Sequence, residues 1–287
     1  MAIDPCSHSI QKTLAYFSIF KYPLSFYQLS TYLISNKKFK SKEFKKQLKR
    51  LVSKGFIKER KGYYYLPGVK NIDSEKRKGY TEKLIKKNRK VLNTLKKVPW
   101  IKMICITGSA ANYNSEPKSD LDLLFVTSKN RVWLTRGFVF TILRIYGKLP
   151  PKNFEDRELC PNIFVDEKSL TWPKSKRDIY IAQNIISMQP IHQKGNMYFR
   201  FLRANTWIHR YNSQFEFHTP SKFKKTKSSR SDILNFLEGL AYKMQLRYMR
   251  RRRTTETVTR RLIHFNKNDN SQKILSSYKS VLENRKI

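Results

Sequence analysis

The sequence predicts an α+β protein, and three observations lead to this class. The first part of the chain combines three amphipathic helical patterns with two short strand patterns. The middle carries two apolar runs of strand length, over residues 103–106 and 120–126. From residue 191 onward, apolar residues recur mainly at helical spacing. We therefore expect an N-terminal domain over residues 8–70, a linking helix over 71–98, a small mixed-sheet core over 99–190 and a helical C-terminal region over 191–287.

The chain is strongly basic. Its 287 residues include 60 Lys and Arg against 21 Asp and Glu, which gives a formal net charge of +39. A field of that sign attracts polyanions, so RNA or DNA is the first expected partner and an anionic membrane surface the second. The alternative is a bias of composition, because the lysines are spread along the whole chain.

Composition also narrows the cellular setting. Hydrophobic residues make up 39% of the chain, enough for a sizeable core, and no apolar run of about 18 residues predicts a membrane span. The first residues lack the basic and apolar regions of a secretion signal. Cys6, Cys105 and Cys160 are too scattered for a zinc site or a disulfide framework, which favours a reducing cytoplasm.

The N-terminal segment has the pattern of a winged helix. Helical apolar spacing extends over residues 10–22, 26–34 and 42–54. Short strand patterns follow at residues 56–60 and 63–66, on either side of a glycine turn. Three helices followed by a β-hairpin resemble a winged-helix domain, which implies that the third helix is the element that would face DNA.

That third helix is expected to direct a row of lysines outward, including Lys45, Lys46 and Lys49. Such a face suits the phosphates of DNA, and we regard these residues as candidate nucleic-acid contacts. A lysine-covered helix of a packing module would show the same pattern against water, so both interpretations stay open.

The middle of the chain holds the strongest functional pattern. An apolar run ends at Gly108-Ser109, a polar loop follows, and Asp120-Leu121-Asp122 opens a second apolar run. Because side chains alternate along a strand, Asp120 and Asp122 are expected on one face while Leu121 points into the core. Two neighbouring carboxylates repel unless a cation lies between them, and Mg²⁺ is commonly held by such a pair together with substrate phosphates. Gly108 permits close approach of the backbone, and a helix beginning at Ser109 would suit a phosphate.

This arrangement resembles the nucleotidyltransferase superfamily that includes DNA polymerase beta. The signature is an apolar strand, Gly-Ser, a spacer and Asp-x-Asp in a second strand, and Gly108, Ser109, Asp120 and Asp122 match it. The resemblance implies that the two aspartates hold Mg²⁺ and that Gly108 and Ser109 contact the phosphates of an NTP. One departure is Asn112-Tyr113, where many members carry Arg-Gly or a similar pair.

The same resemblance implies transfer of a nucleoside monophosphate from an NTP to an acceptor, which the basic charge suggests is a nucleic acid. An alternative is a non-catalytic DNA-binding regulator that retains the nucleotidyltransferase fold. An antitoxin-like partner module is a third reading, which nothing in the sequence supports directly.

The resemblance also implies a third carboxylate on a neighbouring strand. The next strand is predicted over residues 159–165, with Glu158 at its start, Asn162 within it and Asp166 at its end. If that strand is a parallel neighbour of the Asp-x-Asp strand, Glu158 or Asn162 would lie beside the metals. We favour Glu158.

The C-terminal region ends in two predicted helices, over residues 232–253 and 274–282. The first shows an apolar spacing that we expect to be its buried seam, formed by Leu234, Leu237, Ala241, Met244 and Tyr248. It ends in a run of arginines that includes Arg250 and Arg251. Cations also suit the C-terminus of a helix, where they can simply face water. Because arginine forks bind phosphate in bidentate fashion, we prefer a contact of these two residues with nucleic acid.

Overall fold

The computed structural model describes residues 4–69, 73–149, 158–217, 231–250, 257–264 and 270–287. It confirms the α+β class, with a three-stranded antiparallel sheet near the N-terminus and a six-stranded mixed sheet in the middle of the molecule. Helices cover both faces of the larger sheet.

The three N-terminal helices and the hairpin are present, but the first helix begins and ends about one turn earlier than the predicted 10–22. Their bounds are α1 (Pro5–Ser18), β1 (Leu24–Ser25), α2 (Phe26–Thr31), α3 (Ser41–Ser53), β2 (Lys58–Arg60) and β3 (Tyr63–Tyr65). Asp4 caps α1 by accepting from the Ser7 amide at 2.9 Å, and Ser25 forms a capping box with Gln28 at the start of α2. The short strand β1 pairs with β3 and completes the small sheet.

The predicted linking helix consists of two helices, α4 (Ser74–Lys87) and α5 (Arg89–Lys96). They meet at the buried Asn88, whose side-chain amide donates to the Leu84 carbonyl at 2.9 Å. Asparagine competes for backbone hydrogen bonds in this way, so it weakens the interior of a helix. The apolar residues of 72–97 recur at one helical spacing throughout, so the sequence pattern did not show that the helix is interrupted at Asn88.

The larger sheet has the strand order β7-β4-β5-β6-β9-β8. Its strands are β4 (Ile101–Thr107), β5 (Leu121–Thr127), β6 (Leu159–Asp166), β7 (Gln189–Gln193), β8 (Thr257–Val258) and β9 (Leu262–His264). The expected parallel pairing of the Asp-x-Asp strand with the strand that follows is confirmed, because β5 and β6 run parallel. The other pairs in this sheet are antiparallel.

The remaining helices divide between the two faces of this sheet. They are α6 (Gly108–Ala111), α7 (Val132–Ile145), α8 (Ile179–Ser187), α9 (Met197–Ala204), α10 (Asp232–Arg250) and α11 (Asn270–Arg285). Leu121, Leu123 and Phe125 of β5 face a core formed with α5, α7 and α10. Leu124 and Val126 face the opposite core, formed with α8 and α9. The last helix, α11, packs against α1 and α8 instead.

The C-terminal region is not only helical, contrary to the prediction. It contributes β8 and β9 to the sheet, and the expected boundary at residue 190 falls inside β7. These strands are two to five residues long, too short to show a periodic pattern. Pro190 is tolerated because β7 lies at an edge of the sheet.

The predicted buried seam of α10 is wrong in part. Leu237, Met244 and Tyr248 are exposed, and the helix instead turns Glu238 toward α7. The Glu238 carboxylate accepts from the backbone amides of Trp133 and Leu134, both at 2.9 Å. The first amides of a helix have no partner within it, and a carboxylate there is favourable. This capping contact determines which face of α10 is inward.

No helix in the described part of the chain is both long and apolar enough to cross a membrane.

Candidate metal centre at the start of strand β5

Two half-buried carboxylates lie together where β5 begins. Asp120 immediately precedes the strand and Asp122 is its second residue, whereas Leu121 is fully buried on the other side. One ligand atom from each of Asp120, Asp122 and Cys160 lies within 4.8 Å of the others. The alternation predicted from the sequence therefore does place both carboxylates on one face, on the side of the sheet that carries α8 and α9.

Gly108 packs directly against this pair. Its φ of +67° is one that residues with a side chain rarely adopt, and a Cβ placed there would lie 2.6 Å from Oδ2 of Asp122. Thr107, just before it, is the register partner of Asp122 across β4 and β5. Glycine is therefore required twice at this position, by the backbone conformation and by the space that the carboxylate occupies.

Ser109 follows in α6, a helix of a single turn. Its side chain is exposed, and its carbonyl accepts from the backbone amides of Asn112 and Asn114 at 3.1 and 3.0 Å. The predicted helix at the Gly-Ser corner is thus present but short. What the corner offers the site is an exposed hydroxyl and backbone beside the carboxylates.

The third position beside the aspartates is taken by Cys160, with Asn162 next to it. Cys160 is the register partner of Asp122 in the parallel pair β5–β6. The register then shifts between Leu123 and Leu124, and Asn162 is the extra residue of that bulge. The side-chain amide of Asn162 donates to Oδ1 of Asp122, and the Cys160 thiol lies 2.8 Å from Oδ1 of Asn162.

Sequence reasoning named Asn162 as the less favoured candidate and missed Cys160. A signal for the cysteine was present, since it lies two residues after Glu158 and so shares its face of the strand.

Glu158, which the sequence favoured as the third carboxylate, is bound by two lysines and is not part of the cluster. Its carboxylate forms ion pairs with Lys148, at 2.6 Å, and with Lys87 of α4. Burial raises the pKa of this carboxyl, but the hydrogen bonds and charges of the two lysines outweigh that effect and hold the pKa below its usual range. Among the described residues, the group that could hold a metal contains Asp120, Asp122 and Cys160 and does not include Glu158.

The donor set decides which ions would fit. Two carboxylates close together suit a hard divalent cation such as Mg²⁺, which prefers oxygen ligands. A cysteine thiolate is a soft ligand that suits zinc and other transition metals better than Mg²⁺. Mg²⁺ would therefore be held by Asp120 and Asp122 alone, and Cys160 opens the centre to softer divalent ions.

The loop between the Gly-Ser corner and the aspartates is held by the segment between α1 and β1 and by α4. The Tyr22 hydroxyl donates to the Asn112 carbonyl at 2.6 Å, and the Asn114 side chain donates to the Phe20 carbonyl at 3.3 Å. Arg77 of α4 adds a hydrogen bond to the Asn114 side chain at 2.8 Å. Sequence analysis did not foresee these contacts, because they join residues far apart in the chain.

The structure describes the side chains of the three predicted lysine contacts to nucleic acid but not those of the two arginines. Lys45, Lys46 and Lys49 are exposed on α3, whose opposite face is buried through Phe44 and Leu48. Arg250 is the last residue of α10, but its side chain lies outside what the structure describes, as does the whole of Arg251.

Comparison of the chain with protein-family models, with curated proteins and with solved structures gave no match. The functional argument therefore depends on the geometry of the site.

Proposed function

We propose that this protein transfers a nucleoside monophosphate from an NTP to an acceptor hydroxyl, in a reaction that depends on a divalent metal. The acceptor oxygen, as it loses its proton, forms a bond to the α-phosphorus of the NTP, and the bond between the α- and β-phosphates breaks to release pyrophosphate. One observation carries the proposal: the Gly108-Ser109 corner lies directly against the carboxylate of Asp122, with Asp120 beside it. A backbone corner without a side chain next to two carboxylates is an arrangement that can receive a phosphate and a cation together.

Each residue has a role in this proposal. Asp120 and Asp122 would hold Mg²⁺, which would stabilise the negative charge of the phosphoryl group that is transferred. Asn162 binds one oxygen of Asp122, which leaves the other directed toward Gly108. Gly108 and Ser109 bind the triphosphate through backbone amides and the exposed hydroxyl.

The acceptor is proposed to be RNA or DNA in the cytoplasm. The net charge of +39 attracts a polyanion, and the exposed lysines of α3 offer it a surface. The three N-terminal helices with their small sheet are proposed to form a winged-helix domain. Its contacts from Tyr22 and Phe20 to the loop before Asp120 would set the position of an acceptor relative to the metal centre.

A second candidate is a DNA-binding regulator without transferase activity. The occupant of the third position favours it, because Cys160 stands where the resemblance implies a carboxylate, and Glu158 is neutralised by Lys87 and Lys148. Such a regulator would bind DNA through the proposed winged-helix surface and would not catalyse nucleotide transfer.

The deciding experiment is label transfer. The protein is incubated with each α-labelled NTP in Mg²⁺, Mn²⁺ or Zn²⁺, with total cellular RNA, with DNA or with neither. We expect label in a macromolecule, lost when Asp120→Ala and Asp122→Ala are combined. A matched control combines Glu59→Ala with Glu82→Ala, which removes the same charge from exposed positions.

Label that persists in the double aspartate variant contradicts the metal-centre assignment. Absence of label under every condition, with DNA binding that weakens in the combined Lys45→Glu, Lys46→Glu and Lys49→Glu variant, establishes the second candidate.

A further inference from the structure

The outer face of α10 carries an apolar stripe in contact with solvent. Ile233 and Phe236 are 74% and 71% exposed, and Met244 and Tyr248 are 64% and 63% exposed. At about 100° per residue, the members lie within a sector on the order of 120° wide. We call this set the outer stripe, and its residues are Ile233, Phe236, Leu237, Leu240, Met244 and Tyr248.

The orientation of α10 is fixed by contacts on its opposite face. Besides the capping contact of Glu238, the Gln245 side chain donates to the Trp133 carbonyl at 2.9 Å and accepts from Arg136 at 2.5 Å. Met249 completes this inner face as a buried residue. Rotating the helix to bury the outer stripe would break all of these bonds, so the stripe is outward in the stable fold.

The sequence on either side of the described part of α10 is basic and poor in large apolar residues. Residues 218–230 and 251–256, which flank the described part of this helix, contain one large apolar residue, Phe223. They contain eight Lys and Arg against a single acid, Glu256. The sequence next to this helix therefore combines few apolar side chains with a high positive charge.

We propose that the outer stripe binds the surface of an anionic lipid bilayer. A helix with large apolar residues on one face and cations beside them lies in the interface between headgroups and acyl chains. Lys243 is exposed at the edge of the stripe and Arg247 is exposed within its sector, and the net charge of +39 attracts an anionic surface. A second copy of the chain has the same charge and is repelled, so the lipid surface is the complementary occupant.

The position of α10 leaves the metal centre accessible. The helix packs on α7, on the face of the sheet to which Leu121 and Leu123 point. Asp120 and Asp122 point to the other face because side chains alternate. Lipid binding through the outer stripe would therefore tether the protein without covering the site, and it does not depend on the proposed transferase activity.

The test is co-sedimentation of the full chain with vesicles of phosphatidylcholine alone and with added phosphatidylglycerol. We expect binding to the anionic vesicles, reduced by about tenfold or more in the combined Ile233→Ser, Phe236→Ser and Met244→Ser variant. The matched control combines Tyr27→Ser with Ile145→Ser, which are 76% exposed each and lie on α2 and α7. It is expected to bind as the unaltered chain does.

A second readout separates insertion from charge attraction alone. A polarity-sensitive dye on Met244→Cys should shift to the blue with anionic vesicles, whereas the same dye on Lys49→Cys should not. Unchanged vesicle binding in the triple serine variant would overturn the proposal, as would equal loss in the control. A lipid-free dimer that the triple variant dissociates would show that the stripe is covered by a second copy instead.

Discussion

Acidic residues lie at both ends of the parallel pair β5–β6, and their surroundings differ. At the far end, Asp166 is fully buried and accepts from the amides of Asn130 and Lys168 at 2.7 and 2.8 Å. Glu167 next to it accepts from the Lys129 amide at 3.1 Å. These carboxylates hold the chain where it leaves the two strands.

At the near end, Asp120 and Asp122 are half-buried and lie beside each other and beside Cys160. From Asp122 to Thr127 the strand spans roughly 17 Å, at about 3.3 Å per residue, so the two ends are separate sites. Deep burial is therefore not what sets the candidate site acids, Asp120 and Asp122, apart from a structural acid such as Asp166. Asp166 is the more buried, yet backbone amides satisfy it, whereas the half-buried pair is the one that we propose to hold a cation.

The largest effect should follow from removing charge at the near end. Combining Asp120→Asn with Asp122→Asn should reduce transfer by about 10³-fold or more, because the ligands of the metal lose their charge. Thermal stability should stay the same or rise slightly, since a repulsion between like charges is removed. Transfer rates and thermal melts measure both; a large fall in melting temperature would assign the pair a structural role like that of Asp166.

The opposite result is expected at the far end. Asp166→Ala removes a buried carboxylate and leaves the amides of Asn130 and Lys168 without their acceptor, so it should lower the free energy of unfolding by about 3 kcal/mol. Urea denaturation measures the loss, with Asp122→Ala as the variant to compare. A smaller loss at Asp166 than at Asp122 would erase the distinction between the two ends.

Two effects of a side chain at Gly108 can be measured separately: its clash with the Asp122 carboxylate and the strain of a positive φ. Gly108→Ala and Gly62→Ala both place a side chain at a positive φ, +67° and +77°, which costs about 1–2 kcal/mol of stability in each. Only the former brings a Cβ against Asp122, since nothing lies within 4 Å at Gly62. Transfer should fall by about 10²-fold in Gly108→Ala alone. Equal activities in the two variants would contradict the close approach.

The smallest effect is expected at Glu158. Its pKa is lower in the folded chain than in the unfolded chain, so its stabilisation is present above about pH 4.3 and is lost as the pH falls through the folded pKa. Glu158→Gln should therefore flatten the acid side of the stability profile. At pH 7 it should cost less than about 1 kcal/mol, since solvent screens the ion pairs.

Melting temperatures between pH 3 and pH 7 measure this change, with Glu82→Gln, an exposed acid, as the control. Transfer at pH 7 should stay within a few-fold of the unaltered chain. A loss as large as that of the double aspartate variant would make Glu158 the third acid after all.

The local sequence pattern determined much of the candidate site. Alternation along β5 placed Asp120 and Asp122 on one face, and the break at Gly108 located the corner that packs on them. The apolar run over residues 159–165 also predicted the strand β6, although the sequence left its parallel pairing with β5 as a supposition. These features depend on periods of two residues and on the conformational freedom of glycine, both of which are visible in any short stretch of sequence.

Tertiary structure decided what depends on partners distant in the chain. Lys87 and Lys148 pair with Glu158, and the register of β6 places Cys160 opposite Asp122, so Cys160 occupies the third position. Glu238 caps α7 and thereby turns the apolar face of α10 outward. An apolar period shows that a helix has two faces. Which face is buried depends on the polar groups of the neighbour that must be satisfied, and no local pattern contains that neighbour.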